Sequence, residues 1–270
     1  MSLFEGERWR AGGVAGRSAT PMRPKLLFVV NHLRDEAVPF VLLDLLPLLM
    51  ERYSCRVLSL ERPQSASFVV RRLSRLGVPT DTLSLTRFNL TRGLRRLAVY
   101  LKCFEPDILH SHLGRSDLLS AVAAFRRCPA VSTFHATRSV HSLPTQIGYL
   151  LTDPIVTERS AVSQAVMRSF YRALPLRAPC RVINNAVDIA RLQGGSAAGA
   201  DVTALRRLLG VDGRARLITN VGRFVPVKAQ HRLLEAMPEV LRHIPDSRLV
   251  LCGTGPLERA LRREAARLSV

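Results

Sequence analysis

The sequence predicts an α/β fold of two Rossmann-like domains with parallel sheets, the second incomplete, and three features of the chain carry that expectation. Short apolar runs alternate with segments of helical periodicity along most of the 270 residues. One interior stretch, Gln193–Ala200, reads Gln-Gly-Gly-Ser-Ala-Ala-Gly-Ala and is the most linker-like in the chain. Beyond it, Leu217–Ala236 reads as a strand, a glycine, a basic loop and the start of a helix. Parallel strands need crossover connections, so the intervening helices cover both faces of the sheet. The expected division is a loose tail over 1–22, a first domain over 23–195 and a partial second domain over 196–270.

In chain order, the run Leu-Leu-Phe-Val-Val within Lys25–Asn31 is a buried strand. Phe40–Met50 is an apolar helix with Pro39 acceptable in its first turn, and Pro47 is expected to kink or end it. Cys55–Leu60 is a second strand, Ser67–Leu76 a basic helix stopped by Gly77, and Asp81–Leu85 a short strand. Asn89–Phe104 is amphipathic, with Leu90, Leu94, Leu97 and Leu101 on one side. Asp107–Ser111, Ala130–Phe134, Pro154–Thr157 and Arg181–Asn184 supply further strands, with helices near Asp117–Phe125 and Ser163–Arg172. After the linker come a helix over Val202–Leu209, a strand over Arg216–Val221, a helix over Gln230–His243, a strand over Arg248–Cys252 and a helix over Pro256–Leu268. No internal repeat is visible.

A formal charge of +19 and a pI near 11.3 point to an anionic partner, although a solvated basic surface accounts for the same excess. Nucleic acid is disfavoured, because aromatic residues make up 6% and no stacking or groove-reading motif is present. The five cysteines are widely spaced without a Cys-x-x-Cys pair and read as reduced core residues of a cytosolic protein. No run reaches the ~18 apolar residues of a membrane span, since Val38–Met50 is interrupted by Asp44 and followed by Glu51. The first twenty residues lack the continuous apolar segment of a secretory signal.

Chemistry concentrates in two places. Between the strand ending near Gly222 and the following helix lie Arg223 and Lys228. A loop at the carboxyl end of a parallel strand combines free helix N–H groups with those two cations and suits a phosphate or diphosphate. Arginine grips two phosphate oxygens at once and lysine acts as a mobile point charge. An ordinary basic connection has the same composition. In the first domain His110 and His112 share one side of a strand by its period of two, and His135 ends the next. A zinc site built from these three stands beside a plain structural cluster, and the absence of a neighbouring acidic residue favours the latter.

From about Lys25 onward the chain resembles the retaining glycosyltransferases of the family 4 type, of GT-B fold. The residues that carry the resemblance are Asp107-Ile-Leu-His-Ser-His112, Val131-Ser-Thr-Phe-His135, Ala161-Val-Ser163, Val182-Ile-Asn-Asn-Ala-Val-Asp188, Gly222-Arg223 with Lys228, and Gly253-Thr-Gly-Pro256. The resemblance implies transfer of a sugar from a nucleoside diphosphate sugar to a glycan or lipid-linked acceptor, with retention. Under it Arg223 and Lys228 hold the donor diphosphate, and Gly222, Gly253 and Gly255 lie against the nucleotide. His135 serves as the catalytic-site histidine by polar contact and positioning, and His112 and Asn185 line the acceptor cleft. No metal or other cofactor is expected, and the chain has no Asp-x-Asp motif. The basic, leucine-bearing segments Ser67–Leu76 and Asn89–Phe104 could hold the first domain at an anionic membrane surface, at the inner face, although buried leucines with solvated arginines explain the same pattern and are the favoured reading.

Several positions depart from the family's pattern. The turn after the first strand, Asn31–Phe40, has no glycine, Ala186 follows Asn185 where glycine is usual, and Ala229 follows Lys228 in the same way. The family's pair of glutamates, about eight residues apart in the second domain, has no counterpart before Val270. The alternative expectation is therefore a truncated, catalytically silent module that binds acceptor or membrane.

Overall fold

The computed structural model describes residues 23–63, 67–86, 89–189, 202–211 and 213–270. The expected tail over 1–22 and the expected linker over 193–200 lie outside them. The chain divides into two compact units, Met1–Asp188 and Ile189–Val270.

In the first unit the strands are β1 (Lys25–Val30), β2 (Ser54–Ser59), β3 (Thr80–Thr82), β4 (Ile108–His112), β5 (Ala130–Phe134), β6 (Glu158–Ala161) and β7 (Cys180–Val182). The helices are α1 (Ala37–Leu49), α2 (Phe68–Arg75), α3 (Leu90–Phe104), α4 (Gly114–Ala124), α5 (Leu143–Thr152) and α6 (Gln164–Tyr171). All neighbouring strands pair parallel, in the order β3-β2-β1-β4-β5-β6-β7. The order reverses between β1 and β4, which makes the carboxyl ends of those strands the crevice of the sheet.

Period-two alternation along β1 separates two cores. Leu27 and Val29 join Leu58, Leu97, Leu101, Leu109 and Leu119 beneath α3 and α4. Leu26, Phe28 and Val30 point the other way, to Leu42, Leu46, Val57, Val69 and Leu73 beneath α1 and α2. Local signals set the helix ends. Asn89 caps α3 by accepting from the Arg92 N–H, Ser163 caps α6 by accepting from the Val166 N–H, and Gly77 follows α2 at φ +68°. Asp107 lies at the opposite end of the sheet from the crevice and ties it together, its carboxylate accepting from the Lys25 N–H at 2.7 Å.

Four expectations need correction. Helix α1 passes through Pro47 and ends two residues later, because only its last turn lacks the proline's N–H. The side of α3 that packs inward is Gly93, Leu97, Tyr100 and Leu101, and Leu90 is exposed in the first turn. The strand expected at Pro154–Thr157 is displaced: a short 3-10 turn occupies Asp153–Ile155, where Pro154 fits the first turn, and β6 follows at Glu158–Ala161. Strand β6 escapes an apolar pattern because it buries Arg159 and Ser160. The guanidinium of Arg159 donates to Asp153 Oδ1 (3.2 Å), Ser132 Oγ (3.1 Å) and the Tyr149 carbonyl (3.3 Å). Of the cysteines expected in the core only Cys55 is buried, while Cys128 and Cys180 are half-buried and Cys103 and Cys252 exposed, because the last two sit at the ends of a helix and a strand where the side chain meets solvent. Helix α5 carries no sequence expectation.

The second unit holds α7 (Val202–Leu208), β8 (Arg216–Val221), α8 (Gln230–His243), β9 (Ser247–Cys252) and α9 (Glu258–Leu268). β8 and β9 pair parallel in register from Arg216 with Ser247 to Val221 with Cys252. A small core of Phe224, Leu234 and Leu261 fixes α8 and α9 against the sheet.

Candidate functional site

The first unit gathers a histidine cluster at the carboxyl ends of β4 and β5. Register sets His112 beside Thr133, and Thr133 beside Ser160 on β6. His110 Nε2 lies 2.7 Å from Thr133 Oγ1, which in turn lies 2.6 Å from Ser160 Oγ. His112 Nδ1 lies 2.8 Å from His135 Nε2, so one ring donates and the other accepts. The rings of His110 and His112 sit 4.3 Å apart, and His112 stacks on Phe28.

Burial decides the charge of this cluster. Loss of water pushes His110 and His135 down to about 4, and it drives His112 well below the ordinary histidine value, with the two neighbouring rings adding to the effect. All three are neutral at pH 7, able to donate and accept hydrogen bonds but not to present a cation. His112 is 2% exposed and its Nε2 has no protein partner. Among the described residues no group of three or more His, Cys, Asp or Glu has an arrangement that could hold a metal ion.

Asn185, expected with these histidines, lies exposed beyond the end of β7, the edge strand. With β6 between, β7 is two strands from β5, about 10 Å at the usual spacing. Behind the cluster Tyr149 donates to Asp117 Oδ2 at 2.9 Å, and burial raises the Asp117 carboxyl to about 6.

In the second unit the expected loop connects β8 to α8. Gly222 N–H donates to Cys252 O, Phe224 N–H to Thr254 O, and Leu257 N–H to Phe224 O, so the loop is laced to the segment after β9. Arg223 and Lys228 are exposed, Pro226–Lys228 forms a 3-10 turn, and the Lys228 stem runs beside Gly222. Gln230, buried at the start of α8, donates from Nε2 to the Arg223 carbonyl at 3.0 Å. Sequence reasoning missed Gln230, whose role depends on how the loop folds back.

Two glycines have a reason that does not involve a ligand. A Cβ on Gly253 (φ +159°) would lie 2.0 Å from the Gly222 carbonyl oxygen, and one on Gly255 (φ +156°) 2.5 Å from the Phe224 carbonyl oxygen. They let the segment after β9 press against the arginine-bearing loop. Ala229 takes φ +51° and ψ +34°, a left-handed conformation that glycine adopts without strain.

Comparison with known proteins places both segments. The family model described as Glycosyltransferase Family 4 matches residues 38–191, and the one described as Glycosyl transferases group 1 matches 201–270. A GDP-mannose-dependent monoacylated alpha-(1-6)-phosphatidylinositol monomannoside mannosyltransferase of Corynebacterium glutamicum is 33% identical over 108 residues, 40% of this chain and 28% of that protein. A phosphatidyl-myo-inositol mannosyltransferase of Mycobacterium tuberculosis is 31% identical over 183 residues, 65% of this chain and 44% of that protein. The chain thus spans less than half the length of these relatives. The crystal structure of Anabaena HepE in complex with UDP superposes with a TM-score of 0.71 at 21% identity, over 91% of this chain and 66% of that one, a likeness of fold.

Proposed function

Since the chain belongs to Glycosyltransferase Family 4, we propose that it takes part in transferring a sugar from a nucleoside diphosphate sugar to a glycan or lipid-linked acceptor, with retention at the anomeric carbon. The observation that carries this reading is the β8–α8 connection. It holds Arg223 and Lys228 in solvent above a backbone packed too tightly at Gly253 and Gly255 for any side chain. As the bond between sugar and diphosphate breaks, negative charge grows on the leaving group. Arg223 grips two of its oxygens and Lys228 adds a point charge, so transition-state stabilisation needs no metal. Gly222, beside the Gln230 side chain and the lysine stem, presents backbone to the nucleotide.

His135 contributes polar contact to the sugar and acceptor as a neutral imidazole, held in orientation by His112. Asn185 adds a polar contact on the acceptor side. The place of action is the cytoplasm, at an anionic membrane face; no helix among the described residues is long and apolar enough to cross a membrane.

The test is release of nucleoside diphosphate from UDP- and GDP-sugars in the presence of phosphatidylinositol or glycan acceptors, with Lys228→Ala and His135→Ala compared with the parent. Losses of two orders of magnitude or more in each variant are expected. Turnover unaltered in both would remove the proposal.

A further inference from the structure

The helices expected to face a membrane do not present apolar surface in an organised way. In α3 Leu97 and Leu101 are buried, in α2 Val69 and Leu73 are buried, and the arginines of both helices mostly point to solvent. Helix α5 does the reverse. Leu143, Ile147 and Leu151 are 68%, 47% and 75% exposed. Residues four apart on a helix advance by about 40°, so the three form one stripe roughly 80° wide. The opposite side of α5 is the packed one: Tyr149 is buried against Phe134 and Phe170, and Gly148 receives Leu118 of α4. Val140 precedes the stripe, and the packed neighbour α4 adds exposed Val122 and, at its end, Phe125.

The charge carried by the α4–α5 segment itself has one sign, and the exposed acids nearest to it, Glu105 and Asp107, border Arg127 at the foot of α4. From Leu113 to Thr152 the only carboxylate is Asp117, which is buried and bonded to Tyr149. The same span carries Arg115, Arg126, Arg127 and Arg138, of which Arg126 and Arg127 are exposed directly after Phe125. Asp153, next in the chain, is buried against Arg159. Apolar residues on a segment whose exposed charges are all arginines match a bilayer surface that offers acyl chains and negative headgroups together, with Glu105 and Asp107 confined to the Arg127 end.

We propose that the α4–α5 face seats the first unit on an anionic lipid surface, with Leu143, Ile147 and Leu151 entering the interface and Arg126 and Arg127 meeting the headgroups. The proposal does not depend on the sugar-transfer reading, and its test contains no nucleotide. Flotation of the 270-residue chain with vesicles of phosphatidylcholine and phosphatidylglycerol, against pure phosphatidylcholine, reads binding directly. Binding to the anionic vesicles is expected. The triple variant Leu143→Gln, Ile147→Gln, Leu151→Gln, which keeps good helix formers at solvent positions, should lose it about tenfold or more. Arg126→Gln with Arg127→Gln, leaving the stripe intact, should weaken it by about fivefold for each charge removed. Arg92→Gln with Arg95→Gln on α3, an equal loss of charge elsewhere, should leave it nearly unchanged. Absence of flotation in the parent, an undiminished stripe variant, or an equal loss in the α3 pair would each overturn the assignment. So would a concentration-dependent dimer abolished by the stripe variant, which would give this face to a second copy.

Discussion

Replacing Arg159 with methionine probes the most buried charge of the first unit. Its guanidinium is 0% exposed, donates to Asp153, Ser132 and the Tyr149 carbonyl, and lies 5.3 Å from the centre of the Phe134 ring. Removing one member of a buried ion pair costs about 3–5 kcal/mol, since the other is left unpaired out of water. The two alternatives fall at opposite ends of that range. In Arg159→Met, Asp153 Oδ2 keeps the backbone N–H groups of Arg177 (2.6 Å) and Ala178 (3.2 Å), so the remaining carboxylate is half satisfied and the loss is about 3 kcal/mol. In Asp153→Asn the guanidinium keeps Ser132 Oγ and the Tyr149 carbonyl but loses its carboxylate, which leaves a fully buried cation without its counter-charge, and the loss approaches about 5 kcal/mol. At about 2–4 °C per kcal/mol for a unit of this size, melting of the first unit should fall by roughly 6–12 °C and 10–20 °C respectively. The double variant, lacking both charges, should recover part of the loss, with a coupling of about 1–3 kcal/mol. Calorimetry of the four proteins measures this. Single losses below about 1 kcal/mol, or strictly additive ones, would refute the view that this pair holds β6 in place.

Other consequences concern the second unit and the histidines. Ala229→Gly should stabilise the second unit by about 1 kcal/mol in denaturant titration, because alanine bears the strain of the left-handed conformation there. Gly253→Ala should destabilise the same unit by more than about 1 kcal/mol and weaken nucleotide binding, since the new methyl collides with the Gly222 carbonyl. The histidine cluster makes the first unit acid-sensitive: His110 and His135 titrate near 4 when folded and near 6.5 when unfolded, so the unfolded chain binds more protons between those values. Their contribution is complete above about 6.5 and falls as pH drops toward 4, while Asp117, raised to about 6, works in the opposite sense between about 4 and 6. Melting curves from pH 7 to 4 should therefore decline less steeply in His135→Asn than in the parent, and equal slopes would contradict the neutral cluster.

The parts of the fold most legible in the sequence were those where a single periodicity held. Ala130–Phe134, Arg216–Val221 and Gln230–His243 appear with the expected bounds, the last keeping its helical period across Pro238. Strand β6 slipped because a buried arginine and serine look like surface residues until Asp153, Ser132 and Thr133 are known to face them. Helix α5 has no clear sequence signal, because its apolar positions point outward and Pro144 and Gly148 resemble loop residues. The candidate site shows the same division. The period of two put His110 and His112 on one side, but the bond from His112 to His135, and those through Thr133 to Ser160, depend on strand register. The alanine after Lys228 was recognisable as a departure from glycine, and the cost appears in its left-handed backbone.

Diphosphate anchoring by Arg223 and Lys228 is tested most directly by titration calorimetry with uridine, UMP and UDP, and with the guanosine series. Anchoring predicts that affinity rises with each phosphate and that the gain from the second phosphate collapses in Arg223→Ala and in Lys228→Ala. A nucleoside that binds as tightly as its diphosphate, or a phosphate gain preserved in both variants, would contradict it.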